Sequence, residues 1–160
     1  MISVRLTNSE LLTAAFAGVM RHVAARKSGA RQAYGQDSAG WSEHVEGACG
    51  EKAFAKAFGR YWSNELGESP NKRPDVADFE VRTRTRHTYE LVIRANDADD
   101  ARVALVTGMC GDYVIRGWIR AGDAKRQEWF TSHANRPPQY YVPQSALLPF
   151  AELEQLKEAS

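Results

Sequence analysis

The sequence predicts a mixed α/β domain of α+β character, a central mixed β-sheet flanked by helices. Three observations predict it. Two long segments of helical periodicity come first; the apolar period then switches to alternation over four short segments; a short helix, a strand and a closing helix follow. The 160 residues are 43% hydrophobic, enough for one core, and no repeat or composition shift divides them, so residues 1–160 read as a single domain. Charged residues make up 26% of the chain and the formal net charge is +1. Composition therefore excludes a globally basic nucleic-acid binder, and any basic surface must be local.

The elements follow in order. Thr7 and Glu10 form a capping box, Thr-Asn-Ser-Glu, ahead of "LLTAAFAGVMRHVAAR". This predicts a helix over 8–27 that stops near Gly29, so that residues 1–29 form an N-terminal helical part. Leu11, Ala15, Val19 and Val23 recur along it at near-helical spacing. Arg21, His22, Arg26, Lys27 and Arg31 make its far end basic, which suits either the negative end of the helix dipole or a nucleic-acid contact. The stretch "SGARQAYGQDSAG" reads as a loop. A second helix is expected over about 42–62, then a connector, "SNELGESPNKRP", rich in turn residues.

Strands are expected over 79–86, 89–95, 102–108 and 112–119. The third, "RVALVTG", is apolar without alternation, the pattern of a central strand covered on both faces. "RANDADD" at 94–100 reads as a hairpin turn, because it lacks the glycine and terminal Glu of a calcium loop. A short helix over 122–130, a strand at "QYYVP" and a helix at "SALLPFAELEQL" complete the chain; residues 138–160 thus form a C-terminal strand and helix. Pro149 falls a turn inside that last helix and shifts its start.

Several functions are disfavoured. Cys49 and Cys110 stand far apart with no CxxC pair, and no secretory leader is visible, so free thiols in a reducing cytoplasm are expected. No run approaches the roughly 18 apolar residues of a membrane helix. The four histidines are scattered without HExxH or Cys/His zinc spacing. Ser, Cys and His form no nucleophile motif.

Two places carry chemistry. At about 100° per residue, Ala48, Phe54, Ala55, Phe58 and Trp62 all fall within about 60° of Glu51, which puts this acid at the centre of an apolar stripe. A carboxylate facing a core needs an arginine, a backbone donor or a metal ion. The stretch "RPDVADFEVRTRTRH", residues 73–87, alternates. Asp78, Glu80, Arg82, Arg84 and Arg86 share one face, and Phe79, Val81, Thr83, Thr85 and His87 the other. A solvated, salt-bridged strand face and an active-site strand both fit it.

The order Glu51 on a helix, Pro74-Asp75, then Glu80-x-Arg82 resembles the PD-(D/E)XK nuclease superfamily, over about residues 42–120. "YVIRGWI" and "YYVPQSALLPFAEL" are also similar to pieces of small phage and prophage proteins that carry such a core. The resemblance implies a restriction-endonuclease-like core, a Mg²⁺ (or Mn²⁺) cofactor and DNA as partner. It assigns Asp75 and Glu80 as metal ligands, Glu51 as the helix acid supporting the metal, and Arg82 as the cation in the lysine position. Arg84 and Arg86 become possible contacts to the nucleic-acid backbone.

The sequence departs from the pattern in three ways, one being that little chain separates the second helix from the motif, so that the usual first strand is short or missing. Arginine stays protonated, so Arg82 can hold phosphate or water but cannot act as a base. Asp75 and Glu80 are separated by an odd number of residues, so they share a face only if the chain turns or bulges around 76–78. Without that turn, Asp78 and Glu80 are the same-face pair. A catalytically inactive nuclease-fold module that binds DNA or a protein is therefore the alternative. Trp118 reads as core. His133, Arg136, Tyr140 and Tyr141 read as a loop entering an edge strand, or as a basic–aromatic nucleic-acid contact.

Overall fold

The computed structural model describes residues 1–27, 39–64, 74–133 and 137–151. The chain opens with a strand that sequence analysis does not anticipate, β1 (Ile2–Arg5), paired antiparallel with β5 (Asp112–Arg120). Four residues give too short an alternation to stand out. The capping box then forms as read. The Thr7 N–H donates to the Glu10 carboxylate at 2.7 Å, and the Glu10 N–H donates to Thr7 Oγ1 at 3.2 Å. It opens α1 (Asn8–Lys27).

The buried stripe of α1 is displaced from the expected one. Ala14, Ala17 and Gly18 are its buried residues, whereas Leu11, Ala15, Val19 and Val23 are half-buried. The reason is the crossing with α2 (Ala39–Ala57): a Cβ on Gly18 would stand 2.6 Å from the His44 carbonyl oxygen. Backbones this close admit only small side chains.

Helix α2 ends five residues before the expected limit of 62. Gly59 adopts φ +60°, and the Gly59 and Arg60 N–H groups donate back to Lys56 O (3.3 Å) and Ala55 O (2.8 Å). This is the glycine-capped helix end, which satisfies carbonyls that the helix itself leaves unpaired. The expected 28–40 loop falls largely outside the described residues.

The main sheet has the order β1-β5-β4-β2. Strand β2 (Phe79–Arg84) runs parallel to β4 (Arg102–Met109), and β4 pairs antiparallel with β5. Strand β4 is covered on both sides, as its unbroken apolar run predicts. Ala104 and Val106 join a core under the helices with Phe54, Phe79 and Val81, while Val103 and Leu105 join a second core with Leu91, Ile93 and Val142.

That second core lies beneath a smaller antiparallel sheet of β3 (Leu91–Ile93), β7 (Gln139–Val142) and β6 (Phe130–Thr131), in the order β3-β7-β6. The two long helices thus cover one face of the mixed sheet and the small sheet covers the other. The QYYV segment, expected at an edge, is the middle strand of the small sheet.

The remaining expectations shift in detail. The helix expected over 122–130 is a single turn, α3 (Ala121–Ala124), followed by a 3-10 turn over Gln127–Trp129. Ser145, the first residue of the expected closing helix, lies in a 3-10 turn instead, and Leu148 exchanges backbone hydrogen bonds with Trp118 (2.8 and 3.0 Å). The rest of the expected closing helix, 152–156, falls outside the described residues. Phe150 inserts between Phe54, Phe58 and Phe79, with ring centroids 5.0–5.5 Å apart, and so ties the tail, α2 and β2 together. Among the described residues, no helix is long and apolar enough to cross a membrane.

Candidate functional site: carboxylates around the edge strand

Strand β2 is an edge of the four-stranded sheet. Just before it, Val76 and Phe79 exchange both backbone hydrogen bonds (3.1 and 3.0 Å), and Ala77 between them takes φ +54°. This is the turn around 76–78 that convergence of Asp75 and Glu80 requires. It folds Asp75 back along the strand, where its carboxylate accepts the Val81 N–H at 2.8 Å. An edge strand has outward N–H groups without ladder partners, and Asp75 satisfies one of them.

The alternation of β2 then sorts its side chains. Phe79 and Val81 enter the core under α2, and Thr83 abuts Gly50 so closely that a Cβ on Gly50 would fall 1.9 Å from Thr83 Oγ1. Glu80 and Arg82 belong to the opposite face. Arg82 Nη2 donates to Asp97 at 3.1 Å, and Asp97 also accepts the Arg94 N–H at 2.8 Å, so the acid of the "RANDADD" turn braces the turn and the arginine together. Asp78 is engaged by Arg102 at 2.7 Å. Glu80, Asp78, Asp97, Asp100 and Arg102 border an open cavity of about 400 Å³.

Glu51 approaches from the helix side. It is 6% exposed, as its place on the apolar stripe predicts, and it is fully engaged. Arg21 donates to both its oxygens, Nη1 to Oε1 at 2.6 Å and Nη2 to Oε2 at 2.9 Å, and the Trp62 indole N–H donates to Oε2 at 2.9 Å. The partner is therefore an arginine of α1, not one of the strand arginines.

Asp75 lies within electrostatic reach of Glu51, Glu80 and Arg82. Burial and the Glu51 charge push its carboxyl up to about 7, and Glu80 adds to this, against the Val81 N–H and Arg82, which favour the charged form. Burial alone would lower Arg21, but its bonds to Glu51 and the charges of Glu51 and Asp75 outweigh that and hold it above the ordinary value.

The remaining sequence-assigned residues take other positions. Strand β2 ends at Arg84, so Arg86 lies beyond it. The guanidinium groups of Arg84 and Arg86 lie 4.8 and 5.6 Å from the centroid of the Tyr89 ring. Of the two lysines of α2, Lys56 bonds Glu10 at 2.6 Å, and the Lys52 ammonium stands 5.7 Å over the Trp62 ring. His133 meets the Tyr141 ring edge-on at 4.4 Å, Tyr140 packs on Phe130, and Arg136 lies outside the described residues.

Oxygen donors such as Asp75, Glu80 and Glu51 suit a hard divalent cation. In their present arrangement they do not form a ligand set. No three His, Cys, Asp or Glu side chains among the described residues are grouped to hold a metal, and Glu51 is committed to Arg21 and Trp62.

Sequence reasoning missed Arg21. Ala14, Ala17, Gly18 and Arg21 recur at spacings of three and four, so a stripe chosen for small size rather than for hydrophobicity would have placed Arg21 at the helix crossing. Compared with known protein families, curated proteins and solved structures, the chain matches none.

Proposed function

We propose that the protein is a phosphodiester hydrolase of the PD-(D/E)XK type, dependent on Mg²⁺ or Mn²⁺ and acting on DNA. In this reading Asp75 and Glu80 are the metal ligands, Glu51 is the third acid, and Arg82 is a fixed cation that holds phosphate or water. Arg84 and Arg86 contribute backbone attraction. The observation that supports it is the turn at Val76–Phe79. With that turn, Asp75 lies within electrostatic reach of Glu80 and of Glu51 on α2. A half-buried carboxylate held within reach of two like charges, as Asp75 is, is costly to keep ionised without a cation to share.

The test is direct. Purified protein with Mg²⁺ or Mn²⁺ is incubated with supercoiled plasmid and with single-stranded DNA, beside Glu80→Ala and Asp75→Asn. Cleavage by the wild type that falls by about 100-fold or more in both variants is expected. Cleavage that is absent, or equal in the variants, ends the hydrolase reading.

One observation favours a second reading. Glu51 and Arg82 are each already neutralised by an internal partner, Arg21 and Asp97. A nuclease fold that has lost catalysis and binds DNA or a protein partner fits that pairing. Its signature is metal-independent DNA binding that weakens steeply with salt.

A further inference from the structure

We infer that the mixed sheet carries a binding site for a phosphate group, built on Arg116, His87 and Thr107, on the face away from the two long helices. The inference does not rest on the hydrolase reading and needs no metal.

The placement follows from strand alternation. Ala104 and Val106 of β4 face the core under the helices, and Val103 and Leu105 face the core under the small sheet, so Thr107 continues the second face. Arg84 is its partner in the parallel register with β2 and shares that face. Arg116 reaches it through a β-bulge. Leu105 pairs with Gly117 and Val106 with Ile115, which leaves Arg116 as the extra residue of β5. The alternation shifts there: Tyr113, Ile115 and Trp118 pack with the helix-side core, and Ile119 with the other. A bulge re-aims one side chain, and here that side chain is an arginine.

Thr107 gathers the donors. It is fully buried, and its hydroxyl oxygen accepts the Arg116 Nε–H at 2.7 Å and lies 3.1 Å from His87 Nδ1. The hydroxyl proton has two acceptors, His87 Nδ1 and the Val114 carbonyl at 3.5 Å. When it goes to Nδ1, or when the ring is fully protonated, Nε2 of the exposed His87 carries a proton on the side away from Thr107. Arg116 Nη1 donates to the Met1 sulfur at 3.1 Å, and a thioether is a weak acceptor that an oxyanion displaces. The turn bearing Arg86 and His87 is braced. The Tyr89 N–H closes it on the Arg86 carbonyl at 3.1 Å, and Gln144 Nε2 donates to the His87 and Tyr89 carbonyls, both at 2.8 Å. Arg21, Arg82 and Arg102 each hold a carboxylate. Among the described residues, no carboxylate lies within ion-pair distance of Arg86, His87 or Arg116. Fixed donors with uncompensated charge are what a tetrahedral oxyanion needs.

The experiment is calorimetry in EDTA at constant pH and ionic strength. The probes are inorganic phosphate, a short single-stranded oligonucleotide with a 5′-phosphate, and the same oligonucleotide without it. Wild type is compared with Arg116→Gln, His87→Gln and Arg120→Gln, each checked by circular dichroism. Wild type should bind at least one probe, about tenfold or more weakly in Arg116→Gln and in His87→Gln. Arg120→Gln removes the same charge from the exposed far end of β5 and should stay within about twofold of wild type. Binding of inorganic phosphate alone assigns free phosphate as the ligand. Preference for the 5′-phosphorylated oligonucleotide assigns a terminal phosphate, and equal binding of the two oligonucleotides assigns backbone phosphates. The His87 ring proton resonances should shift as the bound probe saturates, while those of His22, on α1 across the sheet, should not. An Arg116–Thr107 bond with a purely structural role would leave both in place.

No binding of any probe overturns the site, and so does binding that is equal in wild type and folded Arg116→Gln. Where Arg116→Gln does not fold, unchanged affinity in His87→Gln, an exposed position, has the same force. EDTA keeps each outcome separate from the fate of the metal-dependent reading.

Discussion

Asp75 is where local geometry and electrostatics meet most directly. Its folded-state carboxyl is raised to about 7, by burial first and by the Glu51 charge second. Between the ordinary carboxylate range and pH 7 the folded protein therefore holds a proton that the unfolded chain has released. Stability must fall as pH rises through that window, with the penalty complete above about 7. A tenfold difference in proton affinity between the folded and unfolded chain is worth about 1.4 kcal/mol, and solvent access to the half-buried carboxyl reduces it, so a loss of about 1–2 kcal/mol between pH 5 and pH 8 is expected. Urea unfolding of wild type and Asp75→Asn at both pH values isolates the effect, because the variant should lack this contribution. A difference between the two proteins that does not change with pH removes the assignment. This residue was partly legible in the sequence: the Pro-Asp pair and the parity of its distance from Glu80 showed that a turn was needed. The left-handed Ala77 that makes the turn was not legible, since alanine carries no signal for positive φ.

At the scale of elements, the helices show how far periodicity reaches. The N-terminus of α1 is readable because its cap is written in two side chains. The end of α2 is not, because Phe58 and Trp62 continue the apolar phase past the true limit. The chain leaves the helix at Gly59, and Trp62 returns to the same core from outside it, donating to Glu51. A side chain can keep helical phase with its neighbours without being helical. Gly59→Ala should therefore cost about 1 kcal/mol, the strain of a β-carbon at left-handed φ, with no loss of the Trp62–Glu51 bond. Thermal unfolding and near-ultraviolet dichroism test the two halves of that statement. The buried pair between the helices should respond more strongly: Glu51→Ala removes the carboxylate that Arg21 holds with two bonds and should cost about 3 kcal/mol, most of it recovered in the double variant with Arg21→Met. Additive losses in urea unfolding would show that the two residues do not act as a pair.

For the whole molecule, the three-layer arrangement follows from β4, the strand whose apolar run marks it as doubly covered. Once its two faces are buried, something must cover each. The sequence showed the helices for one face. On the other face two strands of the small sheet, at 89–95 and QYYVP, were legible as well, but not their pairing with each other nor the two-residue β6, because strands of three, two and four residues gain their stability from packing rather than from pattern. The tail is held by Phe150 against Phe54, Phe58 and Phe79. Phe150→Ala should cost about 3 kcal/mol in urea unfolding, within the range for large-to-small changes in a packed aromatic core. An effect below about 1 kcal/mol would mean that the tail is not part of the cooperative unit.

The hydrogen bond from Val81 to Asp75 carries one more consequence. A strand with a bare outer rim invites a stranger's backbone to zip onto it, and the row of charges along Glu80, Arg82 and Arg84 discourages this only from the side. Asp75 plugs the rim itself. Whatever chemistry it serves, the same carboxylate is a stopper against sticking between copies, and a chain shorn of it should clump sooner on storage than its loss of stability alone would explain.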